Sequence, residues 1–115
     1  MIPKAHRLTK EKDFKEVLKN RRGFREDGLL LKTKKTPQGT LRFGIVVGKT
    51  VEVKATRRNR LRRLLSAALE KRLGSLETGF DAVLIALPGF KALTLLDAQT
   101  LIDILLIKAS LTKTL

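Results

Sequence analysis

Apolar residues gather in two short runs, Leu41 to Gly48 (LRFGIVVG) and Phe80 to Leu87 (FDAVLIAL). Both read as strands covered on two faces. The first alternates Leu41, Phe43, Ile45 and Val47 and adds Val46. Between the runs the period changes. Leu61, Leu64, Leu65, Ala68 and Leu69 fall at i, i+3, i+4, i+7 and i+8, the stripe of a helix with one buried face, over about residues 56–73. Strand, helix, strand in that order is a βαβ unit and predicts parallel pairing across the helix.

Upstream, Phe14, Val17 and Leu18 recur at helical spacing, with Thr9 placed as an N-cap and Gly23 as a stop, so a helix is expected to about Asn20. Phe24 to Thr33 reads as a single strand centred on Leu29-Leu30-Leu31, and Thr36-Pro37-Gln38-Gly39 as a turn. Lys49 to Lys54 is a loop or a short further strand, and Gly74 and Gly79 bracket a connection. Pro88-Gly89 ends the second apolar run. Thr94 with Asp97 resembles a capping box opening a last helix to about Ala109. Residues 1–8 read as an extended, flexible basic arm and residues 110–115 as a basic tail. The expected fold is α+β: one domain over residues 1–115, a sandwich of a mixed sheet of about four strands with three helices, the crossover running through the basic helix.

Charge changes the picture. The chain has 25 Lys+Arg against 11 Asp+Glu, a formal net charge of +14. Such an excess opposes compaction, and a polyanionic partner is its natural explanation. The excess concentrates in Lys54-Ala-Thr-Arg-Arg-Asn-Arg-Leu-Arg-Arg63. At about 100° per residue, Asn59, Arg60, Arg62 and Arg63 lie opposite the leucine stripe. Arg57 and Arg58 sit in the first turn, where the dipole disfavours cations unless an anion arrives. One face is anchored and the other presents forked guanidinium donors suited to phosphate oxygens. The alternative is a solvated basic face.

Other chemistry is sparse. There is no cysteine, which excludes disulfides and thiolate sites. The one histidine, His6, lies in the arm and reads as solvated. The acidic residues are scattered, with no pair suggesting acid–base work or a metal cradle. Gly48-Lys49-Thr50 mimics the end of a phosphate loop, but its first glycine would have to be residue 43, which is Phe43. Neither a catalytic residue nor a metal site is expected in this polypeptide. Tyr and Trp are absent among the aromatics, and the five Phe are the available stacking groups. Phe43 and Phe80 read as core, Phe14 as core by default, and Phe24 and Phe90 are unassigned. No secretory signal and no membrane span is visible; Leu101 to Ile107 is interrupted by Asp103.

Several features together resemble the protein subunit of bacterial ribonuclease P. Arg7-Leu8 followed by Asp13-Phe14 resembles that family's first helix, and Arg42-Phe-Gly-Ile-Val-Val-Gly-Lys49 its central strand. Arg58-Asn59-Arg60 is similar to its Arg-Asn-Arg signature, and Gly79-Phe-Asp-Ala-Val-Leu-Ile-Ala86 to its last strand. The features keep the family's order over about residues 6–108. The resemblance implies a cytoplasmic ribonucleoprotein endoribonuclease that removes the 5′ leader from precursor tRNA. A catalytic RNA subunit would perform the hydrolysis with bound magnesium, and the protein would bind that RNA and the leader. It implies RNA contacts at Lys54, Arg57, Arg58, Asn59, Arg60, Arg62 and Arg63, and a leader cleft at Phe14, Leu18, Lys49 and Lys54. Leu18 stands where the family commonly places a second cleft aromatic, and Leu87 where a basic residue is common. The partners implied are the catalytic RNA and precursor tRNA, with no membrane and no DNA. A structural RNA-binding protein, such as a small ribosomal component, fits charge and size as well, but not the ordered features.

Overall fold

The computed structural model describes residues 2–20, 23–37, 39–90 and 94–113. Three helices, α1 (Glu11–Leu18), α2 (Ala55–Glu70) and α3 (Leu95–Lys108), accompany four strands, β1 (Gly23–Glu26), β2 (Leu29–Lys35), β3 (Leu41–Val47) and β4 (Phe80–Ala86). The sheet order is β1-β2-β4-β3. β3 pairs with β4 in parallel, as the βαβ reading predicts, and β2 pairs with β4 antiparallel. The mixed sheet with three helices is the expected class.

Alternation along each strand divides the side chains between two layers. Leu29, Leu31, Leu41, Phe43, Val47, Ala82, Leu84 and Ala86 face α2 and α3 and form the main core with Leu65, Ala68, Leu69, Ala98, Ile102, Leu105 and Leu106. Leu61 and Leu64 pack at its margin, so the leucine stripe faces as expected. The other sheet face carries α1 on a smaller cluster of Leu8, Val17 and Val83, flanked by Phe14 and Ile85. Gln99 ties α3 to α2 through a 3.1 Å bond from Nε2 to the Ala68 carbonyl. The Thr94 hydroxyl accepts from the Asp97 amide and caps α3. Among the described residues no helix is long and apolar enough to cross a membrane.

Four expectations need correction. The stretch from Phe24 to Thr33 is a hairpin, not one strand: Asp27 and Gly28, at φ 44° and 88°, turn the chain between β1 and β2. An Asp-Gly pair takes up this left-handed backbone at low cost. Residues 2–8 are docked, not an extended arm. Ile2 and Leu8 are buried, and the Leu8 amide donates to the Phe43 carbonyl at 2.9 Å. His6 Nδ1 donates to the Leu41 carbonyl at 2.7 Å, so this ring is bonded and half-buried, not solvated. Helix α1 starts two residues after Thr9, with Lys10 at the cap position and no side-chain cap. The pairing at Leu8 holds the chain extended past Thr9, and Glu11 and Asp13 occupy the first turn. The tail also docks: Leu111 is fully buried and Thr112 bridges to Leu76. Met1, Gln38 of the expected turn, and Thr114 and Leu115 of the expected tail lie outside the described residues.

Candidate RNA interface

The register of the sheet builds the floor beneath α1. Lys34, Asp81 and Arg42 form one row, Lys32, Val83 and Gly44 the next, and Leu30, Ile85 and Val46 a third. Arg42 sends a forked pair of bonds to Asp81, 2.9 Å from Nε and 2.7 Å from Nη2, while Nη1 donates to Asp13 of α1 at 3.3 Å. These bonds, those to Asp81 above all, raise the Arg42 pKa above its ordinary value. The buried Asp81 carboxylate is thereby matched, and the same guanidinium fastens α1 to the sheet. Lys34 reaches Glu16 of α1 at 3.3 Å, and Lys32 Nζ donates to the Leu18 carbonyl at 3.0 Å.

The residue after Asp13 is Phe14, and its half-buried ring lies directly over Gly44. Any Cβ at position 44 would collide with that ring. A glycine inside an apolar strand is the sequence signal for such a close approach. Phe14 is therefore neither wholly core nor wholly free: it packs on the small cluster and borders a cavity of about 170 Å³ with Arg7, Leu8, Gly44, Ile45 and Ser66. Leu18 at 38% and Val46 at 36% are among the exposed large apolar residues, and both belong to the α1 side of the sheet.

A second cavity, of about 360 Å³, is lined by Asn59, Arg62, Arg63, Ile45 and Ser66. Ile45 and Ser66 border both, so the Phe14 cavity and the arginine face of α2 form one continuous surface. Strand β3 makes this possible because it is an edge strand. Ile45, Gly44 and Arg42 were read as parts of a strand and Ser66 was not read at all, so sequence reasoning assigned none of the four to the site; only Gly44 carried a readable signal.

The other candidates take separate places. Arg57, Arg60, Lys49 and Lys54 are exposed and border neither of these cavities. Lys49 lies one residue beyond β3, after Gly48, and Lys54 occupies the N-cap position of α2. Arg58 is partly committed inside the fold: its Nη1 donates to the Glu52 and Val53 carbonyls at 3.1 and 2.6 Å. The anion expected at the start of α2 is supplied in part by the chain. Glu52 Oε1 accepts from the Lys54 amide at 3.5 Å and lies 3.9 Å from Arg57 Nη1.

Comparison with known proteins identifies the family and the fold. A family model described as Ribonuclease P matches residues 2–110. The ribonuclease P protein component of Nitrosomonas eutropha is 39% identical over 85 residues, 72% of this chain and 69% of the relative. That of Synechocystis is 38% identical over 88 residues, 76% of this chain and 71% of the relative. The RNase P protein of Staphylococcus aureus superposes with a TM-score of 0.84 at 23% identity, covering 96% of this chain and all of that one, a likeness of fold. That of Thermotoga maritima gives 0.74 at 26% identity, covering 86% and 94%.

Proposed function

This chain belongs to the ribonuclease P protein family and is the protein subunit of that endoribonuclease, and from this premise we propose how its surface divides the work. Asn59, Arg60, Arg62 and Arg63, with Lys54, Arg57 and the uncommitted edge of Arg58, grip the phosphates of the catalytic RNA. Phe14, together with the exposed Leu18 of the same helix and with Lys49 beyond the end of β3, receives the unpaired 5′ leader of precursor tRNA. The observation that supports the division is the continuity through Ile45 and Ser66, which lets one RNA-bound protein hold a leader beside the arginine face. The cytoplasm is the proposed site of action.

The hydrolysis itself is assigned to the RNA, with its magnesium. Four carboxylates are held by cations of the fold: Asp13 and Asp81 by Arg42, Asp103 by Arg72, and Glu26 by Lys108. Among the described residues no three acidic or histidine side chains gather, so the residues present do not fit a resident metal. The protein's part is to bind and orient, and to offset phosphate repulsion. A small ribosomal component is the reading not favoured.

Phe14→Ala tests the leader role. Loss of a stacking ring is expected to cost about 1–3 kcal/mol of affinity for precursor tRNA with the holoenzyme. Affinity for mature tRNA should be unchanged. A loss of about 3–5 kcal/mol of folding stability with equal losses on both RNAs identifies Phe14 as core alone.

A further inference from the structure

The partly exposed aromatics of this chain fall in two places. Phe43 and Phe90 are buried. Phe14 belongs to the cleft. Phe24 and Phe80, both half-buried, border a different cavity of about 460 Å³, larger than either cavity of the RNA interface. It lies at the foot of the sheet under the end of α3, with Asn20, Thr33, Lys35 and Lys108 on its rim.

The register puts Phe24, Thr33, Lys35 and Phe80 on the core-facing side of the sheet, since Phe24 pairs with Leu31 and Lys35 with Phe80. The cavity therefore sits on the opposite sheet face from Phe14. It is also at the opposite end from the start of α2, because β3 runs from Leu41, beside Phe80, up to Val47 and the loop that leads into the helix.

Its chemistry is divided. Two phenyl rings supply aromatic surface, and Thr33 and Asn20 supply polar groups. Asn20 is fixed there by a 2.6 Å bond from Nδ2 to the Thr33 carbonyl. Lys108 is already spoken for, 2.6 Å from Glu26 and 3.1 Å from the Arg25 carbonyl. Lys35 is exposed and makes no ion pair among the described residues, so it gives the rim its unbalanced positive charge. Aromatic faces beside an ammonium with no ion pair among the described residues suit a base with its phosphate, which uses both kinds of group at once.

We propose that this cavity is a second binding site for an unpaired RNA nucleotide, its base against Phe24 and Phe80 and its phosphate on Lys35. The nucleotide comes either from the catalytic RNA or from a leader long enough to pass the foot of the sheet.

Photo-crosslinking with the whole chain tests this. The probes are an unstructured oligouridylate carrying 4-thiouridine, the catalytic RNA carrying the same base, and precursor tRNAs with short and long leaders in the holoenzyme. Crosslinks are expected at peptides containing Phe24, Lys35 or Phe80 in addition to those of α1 and α2. Lys35→Glu, an exposed change that leaves packing intact, is expected to cut the cavity crosslinks about tenfold while leaving those at Phe14 unchanged. Phe24→Leu with Phe80→Leu keeps apolar bulk and is expected to do the same. Crosslinks to the catalytic RNA assign the nucleotide to it; crosslinks only with the long leader assign it to the substrate. Crosslinks confined to α1 and α2 with every probe, or cavity crosslinks that survive Lys35→Glu, overturn the proposal. Neither result bears on Phe14→Ala, so this site and the leader cleft fail separately.

Discussion

A methyl group at Gly44 would occupy the space of the Phe14 ring, so these two positions act as one. Gly44→Ala is expected to destabilise the fold by about 1–3 kcal/mol through overpacking. It should also push Phe14 from its seat and weaken precursor tRNA more than mature tRNA. With Phe14→Ala already in place the clash has no partner, so the double variant should melt above the sum of the two single losses. Thermal melts of the four proteins check this, and simple additivity would mean that the ring does not rest on Gly44. Arg42 sets the same contact from the side, since it binds Asp13, the neighbour of Phe14. None of the three partners of that clamp was legible in sequence. Arg42, Asp13 and Asp81 are far apart in the chain; the register of β3 on β4 pairs Arg42 with Asp81, and the packing of α1 on the sheet adds Asp13.

The RNA grip we propose lies on helix α2, and its arginines are not equivalent. Arg58 spends Nη1 on the Glu52 and Val53 carbonyls, so its removal also loosens the loop into the helix. Arg60, Arg62 and Arg63 are exposed. Their triple replacement by alanine is expected to leave the melting temperature near that of the parent while weakening the catalytic RNA, by roughly 1.5–3 kcal/mol per lost charge-assisted contact. The salt slope of log K should become shallower by up to about 0.9 per contact on a duplex. Unchanged affinity and slope in binding titrations would make this face merely solvated.

The far end of α2 is fixed differently. Just beyond it, Arg72 binds Asp103 of α3 at 2.8 and 2.9 Å and holds that carboxyl below its usual range, with help from Gln99. A carboxyl depressed in the folded state stabilises above its unfolded value, about 3.9, and loses that contribution as pH falls through the folded value. Acid unfolding below about pH 4 should thus be less steep in Asp103→Asn, whereas stability near pH 7 should be lower. Equal acid slopes in denaturant titrations would remove this pair from the account. The long elements were legible because their periods are clean: β3, β4 and the stripe of α2 stand where the apolar pattern puts them. The hairpin was not, because Leu29-Leu30-Leu31 dominates its neighbourhood and hides the Asp27-Gly28 turn. The docked start was missed because Ile2 and Leu8 stand six residues apart with Lys4 and Arg7 between them and follow no helical or strand period.

Across the whole molecule, charge is sorted by layer. The cations of α2 stand out from the main core, while the acidic side chains of the α1 layer are tied to Lys15, Lys19, Lys34 and Arg42. A surface built this way substitutes for counterions around RNA. Added to its catalytic RNA at low magnesium, the protein is expected to raise processing of precursor tRNA, and the gain should shrink as magnesium or salt rises. RNA-free protein is expected to give no cleavage. Specific processing that survives nuclease treatment would overturn the division of labour.

The order β1-β2-β4-β3 also has a meaning in time. β4 is the last of the four described strands to be made, yet it lies inside the sheet, between β2 and β3. Until it emerges from the ribosome, the β1-β2 hairpin and β3 have no partner in common, and pairings across such separations close slowly. The basic helix is synthesised before β4, so its arginines are outside while the scaffold that orients them is still missing. Each newly made molecule is thus expected to pass through an interval as a loose polycation, able to stick to RNA before it is able to choose.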